Sequence, residues 1–147
     1  MLRDNERKRV PHRILVVDDE PENQLLIRMI LQGEGYDVEV KDNGLDALAA
    51  ARESPFSVIV LDVMMPDLNG FEVYAQLRAD ECTRELPVIM LTALAQRKDY
   101  EQAAQLGVKD YVTKPFEPDE LLSRVRAALG RRAAEGDRVD AQSSGGG

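Results

Sequence analysis

The chain is 147 residues long and carries a formal charge of −8, from 19 basic and 27 acidic side chains. That length suits one domain with short extensions and a substantial core, and the acidic balance argues against a surface that grips nucleic acid by itself. The single cysteine, Cys82, excludes an internal disulfide and fits a reducing, cytoplasmic setting, and no apolar run approaches membrane-spanning length.

Residues 1–12 are basic with no apolar segment behind them, so they read as a flexible arm and not as a secretory signal. His12 has no neighbour in sequence that would make it a ligand. The strand-like run Arg13-Ile14-Leu15-Val16-Val17 leads straight into Asp18-Asp19-Glu20. A helix is predicted from Pro21 to Glu34: proline in the first turn lacks an N–H that would be unpaired there, and Gly35 suits the stop. A second helix, Gly44 to Glu53, ends before Ser54-Pro55. Val58-Ile59-Val60-Leu61 follows, four apolar residues with no polar alternation, as in a strand buried on both faces, and Asp62 closes it. After the loop Pro66-Asp67-Leu68-Asn69 comes a third helix, from Gly70 to about Asp80. A strand over Leu86–Leu91 ends at Thr92-Ala93, and a fourth helix spans about Gln96 to Leu106, closed by Gly107. A strand over Val108–Thr113 ends at Lys114-Pro115-Phe116. The fifth helix runs from Pro118 to Arg132, with Asp119 and Glu120 in its first turn and Arg131 and Arg132 at its end, matching the helix dipole. Residues 133–147 are polar, ending in Ser143-Ser144-Gly145-Gly146-Gly147, and read as a flexible tail.

This βα alternation predicts an α/β fold, a doubly wound five-stranded parallel sheet of order 2-1-3-4-5. In such a sheet ligands bind at the C-terminal rim, at the switch point between the first and third strands. Asp18, Asp19 and Asp62 meet there, with Thr92 and Lys114 on neighbouring strands. Like charges crowded in one crevice need a cation, and oxygen-only ligands favour a hard one, Mg²⁺ foremost. Lys114 and Thr92 remain to hold an anion with three equatorial oxygens, which describes a phosphoryl site. Plainer readings stand beside these. Asp18 and Asp19 would also serve as caps of the first helix, Thr92 as a backbone-bonded loop hydroxyl, Tyr111 as half-buried strand filler, and Met64 as loop packing.

The pieces VVDDE, VLDVMMPDLNG, MLTAL and YVTKPF, in this order and spacing, resemble the receiver domain of two-component response regulators, and the likeness covers Arg13 to about Arg132. The resemblance implies a flavodoxin-like fold and a phosphoacceptor role for Asp62, charged from a phosphohistidine on a histidine kinase or phosphotransfer protein. Mg²⁺ would be held by Asp19, Asp62 and the backbone carbonyl of Met64, with Asp18 acting through water. Thr92, Ala93 and Lys114 would hold the phosphoryl oxygens. Thr92 and Tyr111 would form a switch acting on a face from about Ala95 to Leu129, where an output partner binds and a homodimer is possible. In the family the Lys-Pro bond matching Lys114-Pro115 is usually cis. Side chains matching Met64 and Leu94 influence how fast water reaches the aspartyl phosphate, and two bulky apolar groups there suggest slow self-hydrolysis. The first helix is apolar nearly all round through Leu25, Leu26, Ile27, Met29, Ile30 and Leu31, which reads either as a kinase-docking patch or as a tightly buried helix; the docking reading is the one the resemblance implies.

The output hints conflict. Asn23 after the acid pair resembles receivers of hybrid kinases and those beside cyclic-di-nucleotide enzymes, whereas Glu120 to Arg126 resembles receivers joined to winged-helix DNA-binding domains. Tyr100 and Lys109 stand where the latter carry an arginine and an acid, which counts against their salt-bridged dimer. A haloacid-dehalogenase-type phosphatase would need an Asp-x-Asp pair where this chain has adjacent acids. A phosphate-independent pseudo-receiver would be favoured by loss of Asp19, Asp62, Thr92 or Lys114, and all four are present.

Overall fold

The structure, a computed structural model, describes residues 11–93 and 97–130, without the side chains of residues 97–99. Expectations for residues 1–10, for Leu94, Ala95 and Gln96, and for everything from Arg131 onward lie outside the described residues.

Five parallel strands form one sheet: β1 Arg13–Val17, β2 Asp37–Lys41, β3 Val58–Asp62, β4 Val88–Thr92 and β5 Asp110–Thr113, in the order β2-β1-β3-β4-β5. Helices α1 Pro21–Gly33, α2 Gly44–Glu53, α3 Gly70–Ala79 and α4 Arg97–Leu106 alternate with the strands, and α5 occupies residues 118–130. The expected topology is the observed one.

Side chains alternate between two cores, one on each face of the sheet. Leu15, Val17, Ile59, Leu61, Val88 and Met90 pack with Ala47, Val73, Leu77 and Ala103 of α2, α3 and α4. Ile14, Val16, Val58, Val60, Ile89, Leu91 and Val112 pack with Ile27, Leu31, Leu121 and Val125 of α1 and α5. Covering both faces is what makes the unbroken apolar runs of β3 and β4 stable, since each residue there is buried whichever way it points.

Two strand starts differ from expectation. β4 starts at Val88, because Leu86 and Pro87 belong to the turn, where the Leu86 amide bonds to the Thr83 carbonyl. β5 starts at Asp110, because the Val108 amide still closes α4 on the Ala103 carbonyl, with Gly107 at a φ of 86°. β2, sequence DVEVK, lacks an apolar run because it is a half-buried edge strand.

Candidate functional site

Each group at the C-terminal rim is delivered by the end of a buried element. Val17 of β1 pairs with Leu61 of β3, so Asp18 and Asp62, one residue further on each strand, come side by side. Both are buried, at 0% and 2% exposure. The Lys114 amide donates to the Thr92 carbonyl at 2.8 Å, holding the chain after β5 against β4, and the Lys114–Pro115 peptide is cis. The Lys114 Nζ lies 3.2 Å from Asp18 Oδ2 and 3.3 Å from Asp62 Oδ2. Asp19 and Glu20 are exposed at the mouth, and one carboxylate oxygen from each of Asp18, Asp19, Glu20 and Asp62 lies within 4.8 Å of the others.

One ammonium therefore serves two buried carboxylates. Burial pushes the Asp62 carboxyl up, Lys114 opposes this, and Asp18 adds to it, leaving the pKa at about 6 against an ordinary 3.8. Burial alone would pull Lys114 down, but Asp62 and Asp18 outweigh it and hold the ammonium above its ordinary value. The cluster fits a hard divalent cation: its donors are all oxygen, it is short of positive charge, and two of the acids face solvent.

The capping explanation for the acid pair does not fit. The N-cap of α1 is Glu20, which makes no side-chain capping bond, and Asp18 Oδ1 instead accepts from the Glu20 amide at 2.9 Å. Thr92 is buried at the end of β4, opposite Thr113, and Ala93 beside it is exposed. The Met64 amide donates to Asp62 Oδ1 at 3.3 Å while its side chain is exposed. Tyr111 is half-buried and meets Tyr100 of α4 edge-on, with ring centroids 5.6 Å apart. Asp110 pairs with Arg124 of α5 at 3.7 Å.

Two site features escaped the sequence reading. Glu20 joins the acid cluster, a signal available in the VVDDE run. Gly70 backs onto the end of β3: a Cβ there would lie 2.6 Å from the Asp62 carbonyl oxygen and 2.8 Å from Val63 Cα. Its spacing after Asp62 was visible, but that close approach was not.

The family model for the response regulator receiver domain matches residues 14–126. This chain belongs to that family. The receiver is 44% identical over 119 residues to the DNA-binding dual master transcriptional regulator RpaA of Synechocystis, covering 81% of this chain and 49% of RpaA. It is 44% identical over 123 residues to the DNA-binding response regulator MtrA of Mycolicibacterium smegmatis, covering 84% of this chain and 53% of MtrA. The chain thus spans about half the length of the curated relatives it matches. Among solved structures, the receiver domain of sensor histidine kinase PA1611 from Pseudomonas aeruginosa PAO1, with a magnesium ion coordinated in its active-site cleft, superposes with a TM-score of 0.77 at 35% identity, covering 82% of this chain and 99% of that one. Among the described residues of this receiver no helix is long and apolar enough to cross a membrane.

Proposed function

We propose that this receiver is a phosphoacceptor switch of a two-component system, charged at Asp62 by a histidine kinase or phosphotransfer protein. The observation that carries the reading is Lys114 Nζ bridging Asp18 and Asp62 in a crevice of four acids. An ionised Asp62 oxygen attacks the phosphorus, the P–N bond of the donor phosphohistidine breaks, and the imidazole leaves with the electron pair. Lys114 and the Thr92 and Ala93 groups receive the equatorial oxygens. Asp19, Asp62 and the Met64 carbonyl would hold Mg²⁺, with Asp18 acting through water, and the ion would neutralise those oxygens and keep Asp62 ionised.

The new phosphoryl charge then draws Thr92 inward and reorients Tyr111, which changes the 95–129 face for an output partner or a second copy. The contact of Tyr111 with Tyr100 ties its ring to α4 of that face. For the kinase we propose α1, where Ile27 and Leu31 are buried but Leu25 and Met29 stay 60% and 63% exposed. A cytoplasmic location agrees with this role. The formal charge of −8 supports a receiver that makes no direct nucleic-acid contact.

Incubation with acetyl phosphate and Mg²⁺, followed by intact mass, tests the reading. The expected result is one added phosphoryl group, labile to hydroxylamine and absent in Asp62→Asn. Unlabelled parent protein would favour the phosphate-independent module instead. For the switch, Thr92→Ala is expected to label normally while a beryllofluoride mimic no longer protects residues 97–111 from amide exchange. Equal protection in parent and variant would withdraw Thr92 as the coupling group.

A further inference from the structure

The loop between β3 and α3 carries Met64 past the acceptor and then leaves the sheet. Its two ends are fixed by backbone: the Val63 amide bonds to the Leu91 carbonyl at 3.0 Å, and the Gly70 amide bonds back to the Val63 carbonyl at 2.8 Å. Asn69 and Glu72 close a capping box that starts α3. Between them, Met65 and Leu68 lean on the core. From Met65 to Leu68 the polar tie to another element, among the described residues, is a single side chain. Asp67 Oδ1 accepts from the Gly44 amide and Oδ2 from the Leu45 amide, each at 3.0 Å. These are the first two N–H groups of α2, which lack partners inside the helix and sit at its positive end. The two amides hold the Asp67 carboxyl below its ordinary value, so the fork stays charged.

Gly44 lets the loop approach this closely. A Cβ at position 44 would lie 2.9 Å from Leu68 Cβ and 2.8 Å from Val73 Cγ2. The contact therefore joins a fork, a bare backbone and a packed leucine across 23 residues of sequence.

We propose that Asp67 is a positioning residue for the phosphoacceptor loop: its carboxylate, forked across the first two amides of α2, fixes the path of residues 64–68 and so places the Met64 backbone beside Asp62. The proposal rests on the reading of Met64 as a metal-side group, and it adds that the rigidity of that group comes from α2. Asn43 supplies the control. Its side chain caps the same helix by accepting from the Asp46 amide at 2.8 Å, with no tie to the loop. Asp67→Ala and Asn43→Ala both strip side-chain caps from the first turn of α2, so both should lower the melting temperature. Only Asp67→Ala should reach the crevice.

The test measures Mg²⁺ affinity by calorimetry and, separately, amide exchange in EDTA. Asp67→Ala is expected to raise the Kd for Mg²⁺ about tenfold, as loss of an outer-shell partner does. Asp67→Asn keeps one acceptor oxygen and should fall between parent and alanine, while Asn43→Ala should bind Mg²⁺ like the parent. In EDTA, exchange at Met64, Met65 and Leu68 should quicken in Asp67→Ala and stay unchanged in Asn43→Ala. The proposal is overturned if the two alanine variants shift Mg²⁺ affinity equally, or if Asp67→Ala leaves loop exchange at the parent rate. A parent that binds no Mg²⁺ would remove the metal reading instead. Exchange in EDTA would then decide the clamp alone, quickened loop amides in Asp67→Ala supporting it and unchanged ones overturning it.

Discussion

The two ends of the sheet use charge in opposite ways. At the N-terminal end three arginines are individually satisfied. Arg13 pairs with Asp37 and Glu39 and stacks over Phe56, and Arg52 meets Asp80 at 2.8 Å. Arg78 lies over the Tyr74 ring, bonds its hydroxyl, and donates to the carbonyls of Arg84 and Leu86 at 3.0 and 2.7 Å. At the C-terminal end one lysine is shared by two buried acids, with two more acids at the mouth. Charges at the N-terminal end come with their partners, whereas the C-terminal crevice is left short of positive charge. That shortage suits the crevice to a hard cation.

Removing Lys114 should deepen the contrast most. Lys114→Ala leaves Asp18 and Asp62 buried without their cation and should cost about 3 kcal/mol in EDTA, read by urea denaturation. Mg²⁺ should recover much of that loss. A loss unaffected by Mg²⁺ would mean that the crevice has no need of a cation. At the other end, Arg78→Ala should cost about 2 kcal/mol, since two carbonyls lose their donor, and neither Mg²⁺ nor acetyl phosphate labelling should be affected. Impaired labelling there would break the division between the two ends.

Asp62→Asn should act with the opposite sign. The folded-state pKa of Asp62 is about 6, above its ordinary 3.8, so the native state binds the extra proton between those values. The metal-free parent therefore loses stability as pH rises from about 4 through 6, and by pH 7 Asp62→Asn should be the more stable by about 1 to 2 kcal/mol. Denaturation in EDTA at pH 4 and pH 7 checks this, and a variant less stable at both would refute it. The smallest effect is expected from the exposed Asp19. Asp19→Asn should stabilise the metal-free protein by less than about 1 kcal/mol and weaken Mg²⁺ binding. A clear destabilisation would make Asp19 a structural residue.

What the sequence made legible follows from how each element is buried. β1 and β3 announce themselves because continuous apolar runs break into acids at the rim, and the Asp18–Asp62 approach follows once the strands are parallel and adjacent. β2 alternates because it lies at the sheet edge, so its signal is weaker. α1 was readable as apolar all round, but only packing separates buried Ile27 and Leu31 from exposed Leu25 and Met29. The family motifs brought Lys114 and Thr92 to the same rim from strands whose adjacency is a tertiary fact. The Asp67 fork was illegible, because it joins a loop to a helix start 23 residues earlier and no local periodicity marks such a pair.

The glycines turn this geometry into a guide for engineering. At Gly70 and Gly44 an added methyl group collides with the end of β3 or with Leu68, so a saturation library should return almost only the parent residue. At Gly33, in the last turn of α1, nothing lies within 4 Å of the added carbon. Alanine there should raise stability by roughly 0.4–1 kcal/mol through the unfolded chain alone. A more heat-resistant scaffold can therefore be sought at Gly33 while the acidic crevice is left untouched.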